Sequence, residues 1–103
     1  MAAQLLVLYN QPTDPGAFEA YYFGTHVPIA KRIPKLRKYT VNRGQLAAAA
    51  GEPPYFLVAI LEFDSMADLQ AAFASPEGQA AAGDVPNFAT GGVTMLMYEA
   101  QDV

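Results

Sequence analysis

Tyr55 to Phe63 is an almost continuous apolar run, rich in aromatic and branched side chains, with Glu62 its one charged residue. A segment apolar on both of its alternating faces reads as a strand in the middle of a sheet, covered on both sides. Such a strand needs neighbours, and the chain supplies them. Gln4–Tyr9 is a second apolar run, stopped by Asn10-Gln11-Pro12, too short for a stable helix and so also a buried strand. Over Lys35–Gln45, Leu36, Tyr39 and Val41 interleave with Thr40, Asn42 and Arg43, which predicts a strand with one wetter face. The run Gly92–Glu99 predicts a last strand, with Val93, Met95, Met97 and Glu99 on one face and Thr94, Leu96 and Tyr98 on the other.

Helix signals fall between these strands. Asp14 before Pro15 pairs an N-cap acceptor with a first-turn proline, and Ala17–Tyr22 continues without a breaker. Gly24 and Pro28 interrupt that helix, so Thr25–Arg32 is expected as a further helical turn or two set at an angle, ending before Pro34. Ser65-Met66-Ala67-Asp68 is a capping box with Asp for the usual Glu, and Met66, Leu69 and Phe73 follow at helical spacing. Ser75-Pro76-Glu77 caps another short helix, expected to run to about Gly83. The alanine-rich stretch Leu46–Pro54 is a connection too long for a tight hairpin.

The order β-α-β-β-α-β predicts an α+β, ferredoxin-like fold: a four-stranded antiparallel sheet with both helices on one face. The other face stays apolar and open. A second copy packed against it by two-fold symmetry would cover it, which predicts a homodimer with a cavity between two sheets.

A length of 103 residues suits one domain spanning residues 1–103. An apolar fraction of 52% against 16% charged residues also favours self-association. A net charge of −4 argues against nucleic acid as a partner. Lys31, Arg32, Lys35, Arg37 and Lys38 hold five of the six cations. They read as a solvated helix end and strand face, although such a cluster can also steer an anion. With no cysteine there are no disulfides and no thiolate chemistry. The amino terminus lacks a basic segment ahead of its short apolar run, and no stretch is long enough to span a membrane. A cytoplasmic protein with no membrane partner is the expectation.

His26 is the only histidine, and its ordinary pKa makes it the first candidate for acid–base chemistry near neutral pH. A packing or capping role for a histidine near a helix break is the alternative. Asp14, Glu19 and Glu62 are candidates to orient it, and spacing does not choose among them. One histidine and scattered carboxylates form no metal shell; His26 could serve as a haem axial ligand, the weaker third reading, but nothing else marks such a site, so no cofactor is expected. Six tyrosines, at positions 9, 21, 22, 39, 55 and 98, suit the walls of a pocket for an apolar, oxygen-bearing ligand as well as an ordinary core edge. Tyr22 and His26, four residues apart, share a helical face if the helix survives Gly24. Ser65 and Ser75 are caps rather than nucleophiles, and Gly91-Gly92 is no phosphate loop.

The string Tyr21-Tyr22-Phe-Gly-Thr-His26-Val-Pro28-Ile-Ala-Lys-Arg-Ile-Pro34-Lys-Leu36-Arg-Lys-Tyr39 resembles the motif of the EthD family, named for ethyl tert-butyl ether degradation. The resemblance covers nearly the whole chain in length and element order, and is most specific over residues 9 to 39. It implies a dimeric α/β barrel with a pocket between sheet and helices in each subunit. It makes His26 the motif histidine, Tyr22 the motif tyrosine one turn before it, and Pro28 and Pro34 structural prolines. The implied function is a cofactor-independent oxidoreductase or monooxygenase, or a lyase or cyclase. His26 would act as acid or base on an apolar oxygen-bearing molecule, and Tyr22 or Tyr39 would hydrogen-bond its oxygen. A non-catalytic binding or accessory module of a degradation pathway is the alternative.

Overall fold

A computed structural model describes all residues, 1–103. Strands β1 (Ala3–Asn10), β2 (Lys38–Val41), β3 (Tyr55–Phe63) and β4 (Val93–Glu99) form one antiparallel sheet in the order β2-β3-β1-β4. The helices α1 (Pro15–Tyr21), α2 (Val27–Ala30), α3 (Met66–Ala74) and α4 (Pro76–Asp84) cover one face. The ferredoxin-like plan is therefore the observed one. No helix is long and apolar enough to cross a membrane.

Period-two alternation sets which side chains meet the helices. On β1, Ala3, Leu5, Val7 and Tyr9 are buried, opposite Phe63, Leu61, Ala59 and Leu57 of β3. The central position of β3 is as expected, and a single chain covers only its helix-side face. Val58 and Ile60, with Leu6 and Leu8 beside them, are only half-buried within one chain, because no helix crosses the other face. Strand β2 is also shorter than the alternation predicts. Lys35 adopts a left-handed backbone (φ 64°) that precludes extended pairing there. At the other end, the Asn42 side chain accepts from the Val58 amide at 2.9 Å and donates to the Gly44 carbonyl at 2.8 Å.

The caps act as the sequence predicts. Asp14 accepts from the Ala17 amide, Ser65 from Asp68 and Ser75 from Gly78, each at 3.1 Å. Gly78 is a steric requirement at the α3–α4 corner, where a Cβ would lie 2.1 Å from the Ala72 carbonyl oxygen. Gly78→Ala is expected to lower unfolding free energy by about 1–3 kcal/mol through overpacking, read as a reduced urea midpoint.

The expected break at Gly24 is absent. Helix α1 passes through a π-helical turn, Tyr22–His26, directly into α2, closed by the Val27 amide donating to the Tyr22 carbonyl. In a regular turn the Pro28 ring would collide with the Gly24 carbonyl, and widening the turn relieves that clash without ending the helix. The consequence is functional, because the widened turn carries both Tyr22 and His26 inward, where both are buried.

Candidate functional site

His26 is 5% exposed and its Nδ1 lies 2.9 Å from Oδ2 of Asp84, the last residue of α4, itself 8% exposed. The other carboxylate oxygen accepts from the Tyr21 hydroxyl at 2.6 Å and from Asn87 Nδ2 at 3.0 Å. Burial alone would raise the Asp84 pKa, but the hydrogen bonds from Tyr21, His26 and Asn87 outweigh it and hold the carboxyl below its ordinary value. Asp84 is thus an anion, and an anion accepts. Nδ1 of His26 therefore carries the proton, and Nε2 presents its lone pair.

Burial lowers the His26 pKa below its ordinary 6.5, and the Asp84 hydrogen bond and charge offset this only in part. The imidazole is neutral at neutral pH. Its lowered value means that the folded state binds fewer protons than the unfolded one. The associated stability is present above the unfolded pKa and lost as pH falls through the folded one. Urea denaturation from about pH 7.5 down to about pH 5 is expected to show that loss, and His26→Gln to flatten it, since no other side chain ordinarily titrates there.

His26, Tyr9, Tyr22 and Tyr39 line one cavity of about 200 Å³ between the sheet and the helices, the placement that the resemblance implies. Fifteen of its sixteen lining residues are apolar or aromatic. His26 is the exception, so no formal charge lines the wall. The mouth is rimmed by Met95 and Met97, which are 43% and 57% exposed on the helix-side face of the edge strand β4. Nε2 of His26 has no protein partner, and no sealed polar side-chain atom in the protein lacks one. Nε2 therefore opens onto the cavity.

The structure brings together all three residues singled out by sequence. The Tyr22 and His26 rings are 5.3 Å apart, and the Tyr22 and Tyr39 hydroxyls share a 2.5 Å hydrogen bond. Burial raises both phenols above their ordinary range, so both stay protonated. None of the three candidate carboxylates reaches His26. Asp14 caps α1, Glu19 is exposed beside another cleft, and Glu62 accepts from Gln4 on the open sheet face. Asp84 and Asn87 complete the site unannounced, and Tyr21 and the ring of Tyr9 join it from the six tyrosines read as suited to pocket walls. The one available signal was helical spacing: Gly78, Ala81 and Asp84 recur every three residues as the buried stripe of α4.

A wider cleft of about 890 Å³ lies against the Leu46–Pro54 connection, lined by polar residues such as Gln11, Glu19, Asn42 and Glu52. It holds no histidine and no buried acid–base pair. Two of the five cations of the basic cluster are paired at the surface, Arg37 on Asp64 at 2.6 Å and Lys35 on Asp68 at 3.4 Å. No three His, Cys, Asp or Glu side chains gather as metal ligands.

Comparison with known proteins places this architecture. The chain is 44% identical over 101 residues to an uncharacterised 11.0 kDa protein of the thcB–thcC intergenic region of Rhodococcus erythropolis, covering 97% of this chain and 96% of that one. It superposes with a TM-score of 0.89 on the crystal structure of an EthD family protein from Bacillus halodurans, at 35% identity, covering 98% and 100% of the two chains. At 16% and 13% identity only the fold is shared. Those likenesses are to a dimeric ferredoxin-like protein from Thermobifida fusca (TM-score 0.70, covering 97% and 92%) and a hydroxynitrile lyase from Passiflora edulis (TM-score 0.77, covering 99% and 95%). With the EthD domain model matching residues 10–92, the chain belongs to the EthD family.

Proposed function

We propose that this chain is a proton-transfer enzyme acting on an apolar, oxygen-bearing small molecule, with His26 as its acid–base group. The supporting observation is the buried His26–Asp84 pair, which leaves an unprotonated Nε2 open to a water-poor cavity. In the step this geometry supports, Nε2 takes a proton from the carbon next to a carbonyl. The C–H electron pair moves into a C=C bond, and the carbonyl electrons move onto oxygen. Asp84 faces the imidazolium that forms and stabilises it. Of the two hydroxyls in the Tyr22–Tyr39 pair, one donates to the other, so one O–H is left to meet the developing enolate oxygen. An enolate made this way is the species from which a lyase, cyclase or oxygenase outcome departs.

Deuterium uptake at the α-carbon of a single-ring ketone such as acetophenone, followed by proton NMR in D2O, tests this reading. Exchange above the buffer rate is the expected result. A rate equal to buffer across a panel of neutral ring ketones would overturn it.

The assembly in this proposal is a homodimer formed through the open sheet face. Leu96, half-exposed, stands beside Leu6, and Val58 and Ile60 continue the apolar surface across β3. Face-to-face packing by two-fold symmetry buries this surface and closes an α/β barrel. Sedimentation equilibrium is expected to give a dimer, and Leu96→Asp a monomer of unchanged secondary structure. A monomeric parent protein would refute this assembly.

A further inference from the structure

We infer that the cavity selects an uncharged ligand about one aromatic ring in size, bearing a hydrogen for His26 Nε2 and an oxygen for the Tyr9 hydroxyl, and rejects the matching carboxylate. This deepens the reading of the cavity as the active site and rests on it.

Size comes first. A cavity of about 150 Å³ with apolar walls holds benzene, so about 200 Å³ admits one ring and a short substituent. The exposed thioether side chains of Met95 and Met97 at the mouth adapt to whatever projects outward.

The polar complement follows from which hydrogen-bonding capacity is already spent. Tyr22 and Tyr39 bond each other, which spends one O–H of the pair and leaves the other for the same ligand oxygen; Tyr21 is committed to Asp84, and Nδ1 of His26 is committed to the same carboxylate. Tyr9 differs. Its ring is packed against Phe18, Tyr22 and Phe88 at 5.4, 5.7 and 5.4 Å and is 2% exposed. Its hydroxyl has no hydrogen-bond partner in the protein, yet no sealed polar side-chain atom is left unpaired. The Tyr9 oxygen therefore reaches the cavity that its ring lines. A donor with no protein partner and an acceptor nitrogen on the same apolar wall call for a ligand that offers an acceptor and a donor close together.

Charge excludes the anion. No lysine or arginine lines the cavity, and the nearest buried charge is the Asp84 carboxylate. Protonation of His26 does not invite an anion, because the imidazolium is already matched by Asp84. A bound carboxylate would be desolvated with no counterion of its own.

Benzamide and benzoate form the matched probe pair, alike in shape and different in charge, and benzamide carries both N–H donors and an acceptor oxygen. In NMR titrations of the dimeric protein at about pH 7.5, benzamide is expected to bind about tenfold tighter than benzoate, or more. Tyr9→Phe is expected to weaken benzamide several-fold while leaving ethylbenzene unchanged. Asp84→Asn should narrow the gap between benzamide and benzoate. Equal affinity for the two probes, tighter benzoate, or no binding of benzamide at millimolar concentration overturns the inference. Binding is read without turnover. Selectivity without deuterium exchange would therefore leave this inference standing and remove the proposed reaction, and exchange without selectivity would do the reverse.

Discussion

His26→Gln is expected to slow α-deuterium exchange by about 10²–10⁴-fold, the range supplied by a positioned general base, while the protein still folds. Glutamine fills similar space and its amide N–H can reach Asp84, so the carboxylate keeps a donor where alanine would leave it short of one. The loss should fall on kcat rather than KM, because the proton moves only in the transition state. Unchanged exchange in this variant would remove His26 from the chemistry.

The contrast between two Asp84 variants should be larger still. In Asp84→Asn the amide oxygen remains the acceptor for the Tyr21 hydroxyl and Asn87, which both bond Oδ1 today. The amide nitrogen must then face His26 Nδ1 and donate to it. That reverses the tautomer, puts the proton on Nε2 and disables the base. The precedent for a carboxylate that fixes a catalytic histidine is a loss of about 10⁴-fold with geometry intact. Asp84→Ala removes the acceptor altogether and leaves three donors, from Tyr21, His26 and Asn87, without their partner. Leaving the buried His26 donor unsatisfied costs about 1–3 kcal/mol, so Asp84→Ala is expected to lose stability as well as activity. Asparagine should retain most of the stability and little of the activity. Equal stability loss in the two variants would make Asp84 a purely structural residue.

How much of this was legible in the sequence follows from the range of the interactions involved. Caps at Asp14, Ser65 and Ser75 are local, span three residues each, and form as read. Strands β1 and β3 announce themselves by composition, and the element order carried the topology. The winding of Tyr22–His26 was not legible, because Gly24 and Pro28 are breakers by propensity, and a widened turn shows only when the packing of Tyr22 and His26 is known. The ends of β2 were hidden for a related reason, since alternation does not reveal a left-handed residue such as Lys35. At the site, His26 and Tyr22 stood out through motif and spacing. Asp84 lies 58 residues from His26 and ends a different helix, so only the packing of α4 beside α2 makes it a partner. Tyr9 was one tyrosine among six until the hydrogen bonds of Tyr21, Tyr22, Tyr39 and Tyr98 left it the one buried tyrosine whose hydroxyl has no partner.

The central claim is that a buried anion, Asp84, holds His26 neutral with its free nitrogen in the cavity. Nitrogen-15 NMR of the imidazole reads this directly, and a single histidine leaves no ambiguity of assignment. The Nδ1–H tautomer is expected at about pH 7.5, with Nε2 unprotonated and titration below the ordinary 6.5. An Nε2–H tautomer, or an imidazolium at that pH, would contradict the account.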